Sequence, residues 1–174
     1  MLGWSGLYHC GNWTYAQEAF LGKLDLSGIH LQVAFSMAPF YGLLLPDGLG
    51  WYVLSALGTL AVIGSLIALS GVEVGRHTMS AVYIGTASLQ LVPMASCLLD
   101  EQSIWAQTTS AERTLIRIAA GLYLGGSQVY AYTWPSPWPH TFGYHEIWHI
   151  CVVLASACTY LCNASLLMRL NGAG

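Results

Sequence analysis

Charged side chains divide the chain into long apolar runs. Residues 26–46, 48–72, 77–99 and 147–168 contain no Asp, Glu, Lys or Arg, and residues 114–132 contain only Arg117. A helix needs about 20 apolar residues to cross a bilayer, and each run reaches that length or falls just short of it. The pattern therefore predicts five spans, at about 24–45, 50–72, 78–99, 111–134 and 141–168. Arg117 sits one turn inside the fourth of these, where a long side chain can snorkel to the interface. Before them, residues 1–13 are apolar but too short to cross, so they read as part of a further helix.

The connections carry breakers. Pro46-Asp47-Gly48 and Gly75-Arg76-His77 are turn signals. Trp134-Pro135-Ser136-Pro137-Trp138-Pro139 cannot continue a helix and is rich in residues suited to the headgroup level. Gly121 and Gly125 form a small-xxx-small pair that would let a neighbouring helix approach. No repeat or soluble domain interrupts the pattern. The expected architecture is one all-α domain over residues 1–174, a polytopic membrane helix bundle.

Composition narrows the class. Of the 174 residues 7% are charged and 55% hydrophobic, and the mean hydropathy is +0.55. Soluble domains carry about a quarter charged residues, so an integral, multi-pass membrane protein is expected. The net charge of −3 is small and no basic run offers a nucleic-acid face. Five cysteines without a CxxC pair suggest neither a disulfide framework nor a zinc knuckle. Cys151, Cys158 and Cys162 fall on one stripe of the last helix and read as packing thiols. The N-terminus has no basic region or cleavage site of a signal peptide.

Span parity places the connections. Glu18 and Lys23, then Glu73 and Arg76, then the Pro/Trp run share one side of the membrane. Asp47, Asp100, Glu101, Glu112 and Arg113 share the other. Lys23 and Arg76 on one side face Arg113, Arg117 and Arg169 on the other, so the positive-inside rule gives no orientation.

The candidate chemistry lies on the side of the Pro/Trp run. His145 and His149 are four residues apart at the start of the last helix, so their imidazoles share a face about 6 Å apart. That spacing suits one metal ion. The C-terminal end of the partial helix reaches the same leaflet with Ser5 and His9, again four apart. The next span begins there with Asp25. His9, His145 and His149 make three nitrogen ligands, and three protein ligands on zinc leave a fourth position for water. Asp25 could hold or deprotonate that water, and Ser5 could donate to a developing oxyanion. Taken singly, His9 reads as an interfacial histidine, Asp25 as a carboxylate at a helix N-terminus, and Ser5 as a packing hydroxyl. Together those readings weaken, because an unpaired carboxylate in the membrane costs roughly 2.5–3.5 kcal/mol. His30 is about 140° round the helix from Asp25 and is left out. His140 is a loop residue that could support the ligands, and His77 reads as a loop residue.

Ser5-x-x-x-His9, Lys23-Leu24-Asp25-Leu26-Ser27-Gly28-Ile29, Ser36-x-x-Pro39 and His145-x-x-x-His149 together resemble the progestin and adipoQ receptor family. It includes the adiponectin receptors and the bacterial haemolysin III-like proteins. The resemblance implies seven transmembrane helices and a zinc ion held by three histidines beside a serine and an aspartate. Carried onto this chain, the zinc ligands are His9, His145 and His149, with Asp25 and Ser5 as the catalytic pair. It also implies a receptor with ceramidase-like lipid amide hydrolase chemistry, with a ceramide-like or sterol lipid as partner. A protein hormone or an oligomer partner stays open. Measured against seven helices, the chain lacks the first helix and part of the second, as a truncated form would.

Two other readings use the same residues. In one, the zinc is structural and ties helices together without turnover. In the other, His145-Glu146-x-x-His149 is an intramembrane HExxH metalloprotease with Glu146 as base. The nearest aspartate for that site is Asp47, which parity places at the opposite face, roughly 30 Å away.

Overall fold

A computed structural model describes residues 2–46, 48–72, 74–95, 104–138 and 141–172. Asp47, Glu73, Asp100, Glu101 and His140 lie outside the described residues. The elements in order are α1 (Leu2–Cys10), α2 (Tyr15–Phe35), α3 (Ala38–Leu44), α4 (Leu49–Ser70), α5 (Arg76–Ala95), α6 (Ile104–Gln107), α7 (Ser110–Tyr132) and α8 (Tyr144–Leu170). The only β pairing among the described residues is an isolated antiparallel bridge between Trp138 and Phe142. The fold is an all-α membrane helix bundle. The largest helix contacts are α7 with α8 and α2 with α4, while α1 packs on α2.

Two helices, α4 and α8, are long and apolar enough to cross a membrane by length and composition. Their apolar faces mostly point outward, with Trp51, Val62 and Leu66 of α4 and Val153, Leu154 and Leu161 of α8 exposed. In water such a surface would drive association, and in a bilayer it meets lipid.

The expected span at 24–45 is in fact two helices. Thr14 and Gln17 start α2 early, because the Gln17 side chain accepts the Thr14 N–H at 3.0 Å. The helix then breaks at Ser36 and Met37, where Pro39 lies in the first turn of α3 and has no N–H to donate. Side chains from other helices take up the freed carbonyls. Asn163 Nδ2 of α8 donates to the Ser36 carbonyl at 2.8 Å, and Gln90 Nε2 of α5 donates to that of Val33. The bend is thus clamped from two sides.

The core gathers round this bend. Phe40 and Tyr41 of α3, Ala34 of α2, Ile104 of α6 and Leu166 of α8 are fully buried. The Tyr41 hydroxyl donates to the Gln90 carbonyl at 2.9 Å. The short α6 has no counterpart in the hydropathy pattern. Glu112, read as a connection charge, is completely buried. Its carboxylate accepts the Thr109 N–H at 2.8 Å, the Ser165 hydroxyl at 3.0 Å and Arg169 at 3.3 Å. This network joins the start of α7 to the end of α8 at the bundle's far end.

Gly121 and Gly125 do not make the helix contact expected of them, since a side chain at either would meet open space. The close approach of α7 to α8 is at Gly126, where a Cβ would lie 2.7 Å from Cys151 Cβ and 2.9 Å from the Trp148 ring. Glycines spaced by four mark one face but do not say which way that face points.

Candidate metal centre

Two helices bring three histidines together. His9 is in the last turn of α1. The turn after it is closed by Trp13, whose indole N–H donates to the Leu7 carbonyl at 3.0 Å. His145 and His149 lie in the first two turns of α8, and the local sequence fixes where that helix begins. Trp138 and Phe142 exchange backbone hydrogen bonds of 3.0 and 2.7 Å. The Ser136 hydroxyl accepts the Tyr144 N–H at 3.3 Å, and the Glu146 carboxylate accepts the Gly143 N–H at 2.8 Å. Orphan donors of the first turn are thereby satisfied.

One ligand atom from each of His9, His145 and His149 lies within 4.8 Å of the others. The Nε2 atoms of His145 and His149 are 3.0 Å apart. The His9 ring stands 5.2 Å from that of His145 and 5.0 Å from that of His149. Nitrogen ligands on one tetrahedral zinc at about 2.0–2.1 Å are about 3.3 Å apart. The trio's separations, 3.0 Å for one pair and no more than 4.8 Å for the others, bracket that spacing, and three imidazoles are a donor set that zinc accepts.

Asp25 joins this cluster, and Ser5 lines the cavity beside it. Asp25 Oδ2 is 3.9 Å from His9 Nε2, and its side chain is only 14% exposed. It is ten residues into α2, not at a helix start, because α2 begins at Tyr15. The macrodipole of an N-terminus therefore does not account for it. Ser5 is buried, one turn before His9 on α1. A cavity of about 870 Å³ opens beside them, lined by Ser5, Lys23, Asp25, Tyr130, His145 and His149 among others. A second, almost wholly apolar cavity of about 120 Å³ lies deeper, lined by residues including Met37, Ile84, Ala120 and Leu124. Ile29, Tyr83, Trp148 and Val152 line both.

Residues outside the cluster have other surroundings. Glu146 is exposed and occupied by the helix cap. His30 is buried beside Tyr83, with ring centroids 5.1 Å apart. His77 belongs to the first turn of α5, not to a loop, and stacks edge-on with Tyr132. Tyr83 and Tyr130 were not legible as site residues. A tyrosine inside an apolar run has the same spacing as any core residue, and no polar neighbour in sequence marks it.

The fold and the cluster define a helical membrane protein with three histidines and a carboxylate gathered over a cavity at one end of the bundle. The sequence model of the haemolysin-III related family matches residues 1–160. The chain belongs to that family, as its motifs predicted. No solved structure matches it.

Proposed function

We propose that this chain is a multi-pass membrane protein that binds zinc through His9, His145 and His149 and hydrolyses the amide bond of a membrane lipid. A receptor role coupled to that chemistry follows the family resemblance. The observation that carries the reading is the convergence of the three ligand atoms within 4.8 Å, with Asp25 next to His9 and a cavity in front of them. Beyond α4 and α8, helices α2, α5 and α7 are long enough to span and pack alongside them.

A bound zinc ion would polarise the amide carbonyl and lower the pKa of a water in its open position. The chain's own groups handle the protons. Asp25 takes a proton from the attacking water as its oxygen bonds to the carbonyl carbon. It returns that proton to the nitrogen as the carbon–nitrogen bond breaks, which leaves a carboxylic acid and an amine. Ser5 offers its hydroxyl to the carbonyl oxygen as charge develops there. The apolar cavity, which shares the wall residues Ile29, Trp148 and Val152 with the larger one, suits a hydrocarbon tail.

The test is turnover of a long-chain N-acyl amino alcohol by purified protein in lipid nanodiscs, followed as released fatty acid. The expected result is hydrolysis that a chelator abolishes and added zinc restores. Stoichiometric zinc without turnover would make the site structural and overturn the hydrolase reading.

A further inference from the structure

Two guanidinium groups meet over one indole at the end of the bundle away from the histidines. Arg113 and Arg117 are one turn apart on α7. Their Cζ atoms lie 5.9 and 5.3 Å from the centre of the Trp105 ring on α6, within the range of cation–π attraction. Arg113 also donates to the Trp105 carbonyl at 3.4 Å. Neither arginine has an ion-pair partner among the described residues. The carboxylate next to them in sequence, Glu112, is buried and taken up by Thr109, Ser165 and Arg169. Like charges four apart on a helix repel, so a pair that no described group neutralises invites an anion. The same ridge of α7 continues through Gly121 and Gly125, where a side chain would meet open space. It therefore runs bare and outward-facing below the two arginines. From Arg117 to Gly125 it drops about 12 Å along the helix, less than the roughly 15 Å of one hydrocarbon leaflet.

We propose that Arg113, Arg117 and Trp105 form a headgroup site for an anionic phospholipid, with one acyl chain laid along the bare ridge of α7. Forked guanidinium N–H groups match the oxygens of a phosphate. Trp105 gathers two such forks and is a residue suited to headgroup depth. A zwitterionic lipid would bring an ammonium up to two cations. A lipid whose only charge is the phosphate does not, so the class is a phosphatidylglycerol-like lipid rather than phosphatidylcholine. A second copy of the chain is a poorer occupant, because a parallel pairing on this ridge would set four arginines face to face. The inference needs α7 to be a span, as the multi-pass reading has it, and nothing of the zinc chemistry.

The experiment counts lipids bound to the full chain by native mass spectrometry, from detergent holding equal phosphatidylglycerol and phosphatidylcholine. The wild type should prefer the first by roughly twentyfold, since each arginine near a membrane surface contributes roughly fivefold. Arg113→Gln and Arg117→Gln should each cost roughly fivefold, and the double variant should bind both lipids equally. Arg113→Lys with Arg117→Lys keeps the charge, loses the forks and should fall well short of the wild type. Inorganic phosphate should not displace the lipid, because it has no chain to lay on the ridge. Equal binding of both lipids by the wild type overturns the inference, as does a preference that survives in the double Gln variant. A Lys pair as selective as the wild type would reduce the site to diffuse charge, and displacement by phosphate would make it a free-anion site. A dimer that binds no phosphatidylglycerol would give the ridge to a second copy. Gly121→Cys scores the span separately. Extra labelling by a membrane-impermeant maleimide in intact vesicles, above the parent chain, sinks the multi-pass reading of α7 and this inference with it. Protection at that position without lipid preference sinks this inference alone.

Discussion

The Nε2 atoms of His145 and His149 face each other at 3.0 Å across one turn of α8. Two imidazole nitrogens this close share one proton or one metal ion, and the third imidazole at His9 favours the ion. We predict one zinc per chain in protein purified without chelator, read by elemental analysis. His149→Ala and His9→Ala should each reduce it to background while the helical circular dichroism persists. A metal-free, well-folded wild type would defeat the site.

Asp25 separates binding from chemistry. Its carboxylate is near His9 at 3.9 Å, but the group of converging ligand atoms is made by the three histidines without it. Asp25→Asn should therefore keep the zinc and lose turnover by roughly 10²–10⁴-fold, the range for removing a general acid–base group. Parallel loss of zinc would instead make Asp25 a ligand or a ligand support.

The grouping of the histidines was legible in sequence for a geometric reason. His145 and His149, and likewise Ser5 and His9, are one helical turn apart, so helix periodicity alone puts each pair on one face. Counting spans then put the pairs on one leaflet, and the structure brings His9 to the other two histidines. What was not legible depends on backbone breaks and helix rotation. The bend at Ser36–Met37 lies inside an unbroken apolar run, and hydropathy does not register a proline whose freed carbonyls other helices satisfy. Glu112 was read as an interfacial charge because its partners Ser165 and Arg169 are some fifty residues away. Tyr83 carried no pattern at all. It lines both cavities.

Glu146 distinguishes a cap from a catalytic base. Its carboxylate accepts the Gly143 N–H, and Gln keeps a side-chain oxygen acceptor there, so Glu146→Gln should leave stability nearly unchanged. Zinc content and lipid amidase activity should be unchanged. A variant that keeps its zinc and loses all activity would restore the HExxH protease reading.

The Glu112 network predicts a stability effect remote from the histidines. Glu112→Ala would strand the Ser165 hydroxyl and remove the anion opposite Arg169, which is itself about one third exposed. Breaking a fully buried pair costs about 3–5 kcal/mol, and partial solvation of Arg169 lowers the expected loss to about 2–3 kcal/mol. Thermal melts in nanodiscs should show the drop, with zinc content unchanged in the folded fraction.

Gly126 links packing to the site. A methyl there would strike Cys151 Cβ and the Trp148 ring, and Trp148 is the residue before His149. Neither neighbour can retreat easily, since one is a Cβ fixed to its backbone and the other a nearly buried indole at 9% exposure. Gly126→Val should therefore push α7 from α8, at about 1–3 kcal/mol for overpacking. Because His145 and His149 belong to the same first two turns of α8 as Trp148 and Cys151, zinc affinity should fall with stability. Gly125→Ala is the control. It adds its methyl to open space and replaces glycine with a better helix former, so stability should hold or rise and zinc binding should not change. If Gly125→Ala and Gly126→Val weakened zinc equally, the α7–α8 contact would not be what positions the two α8 histidines.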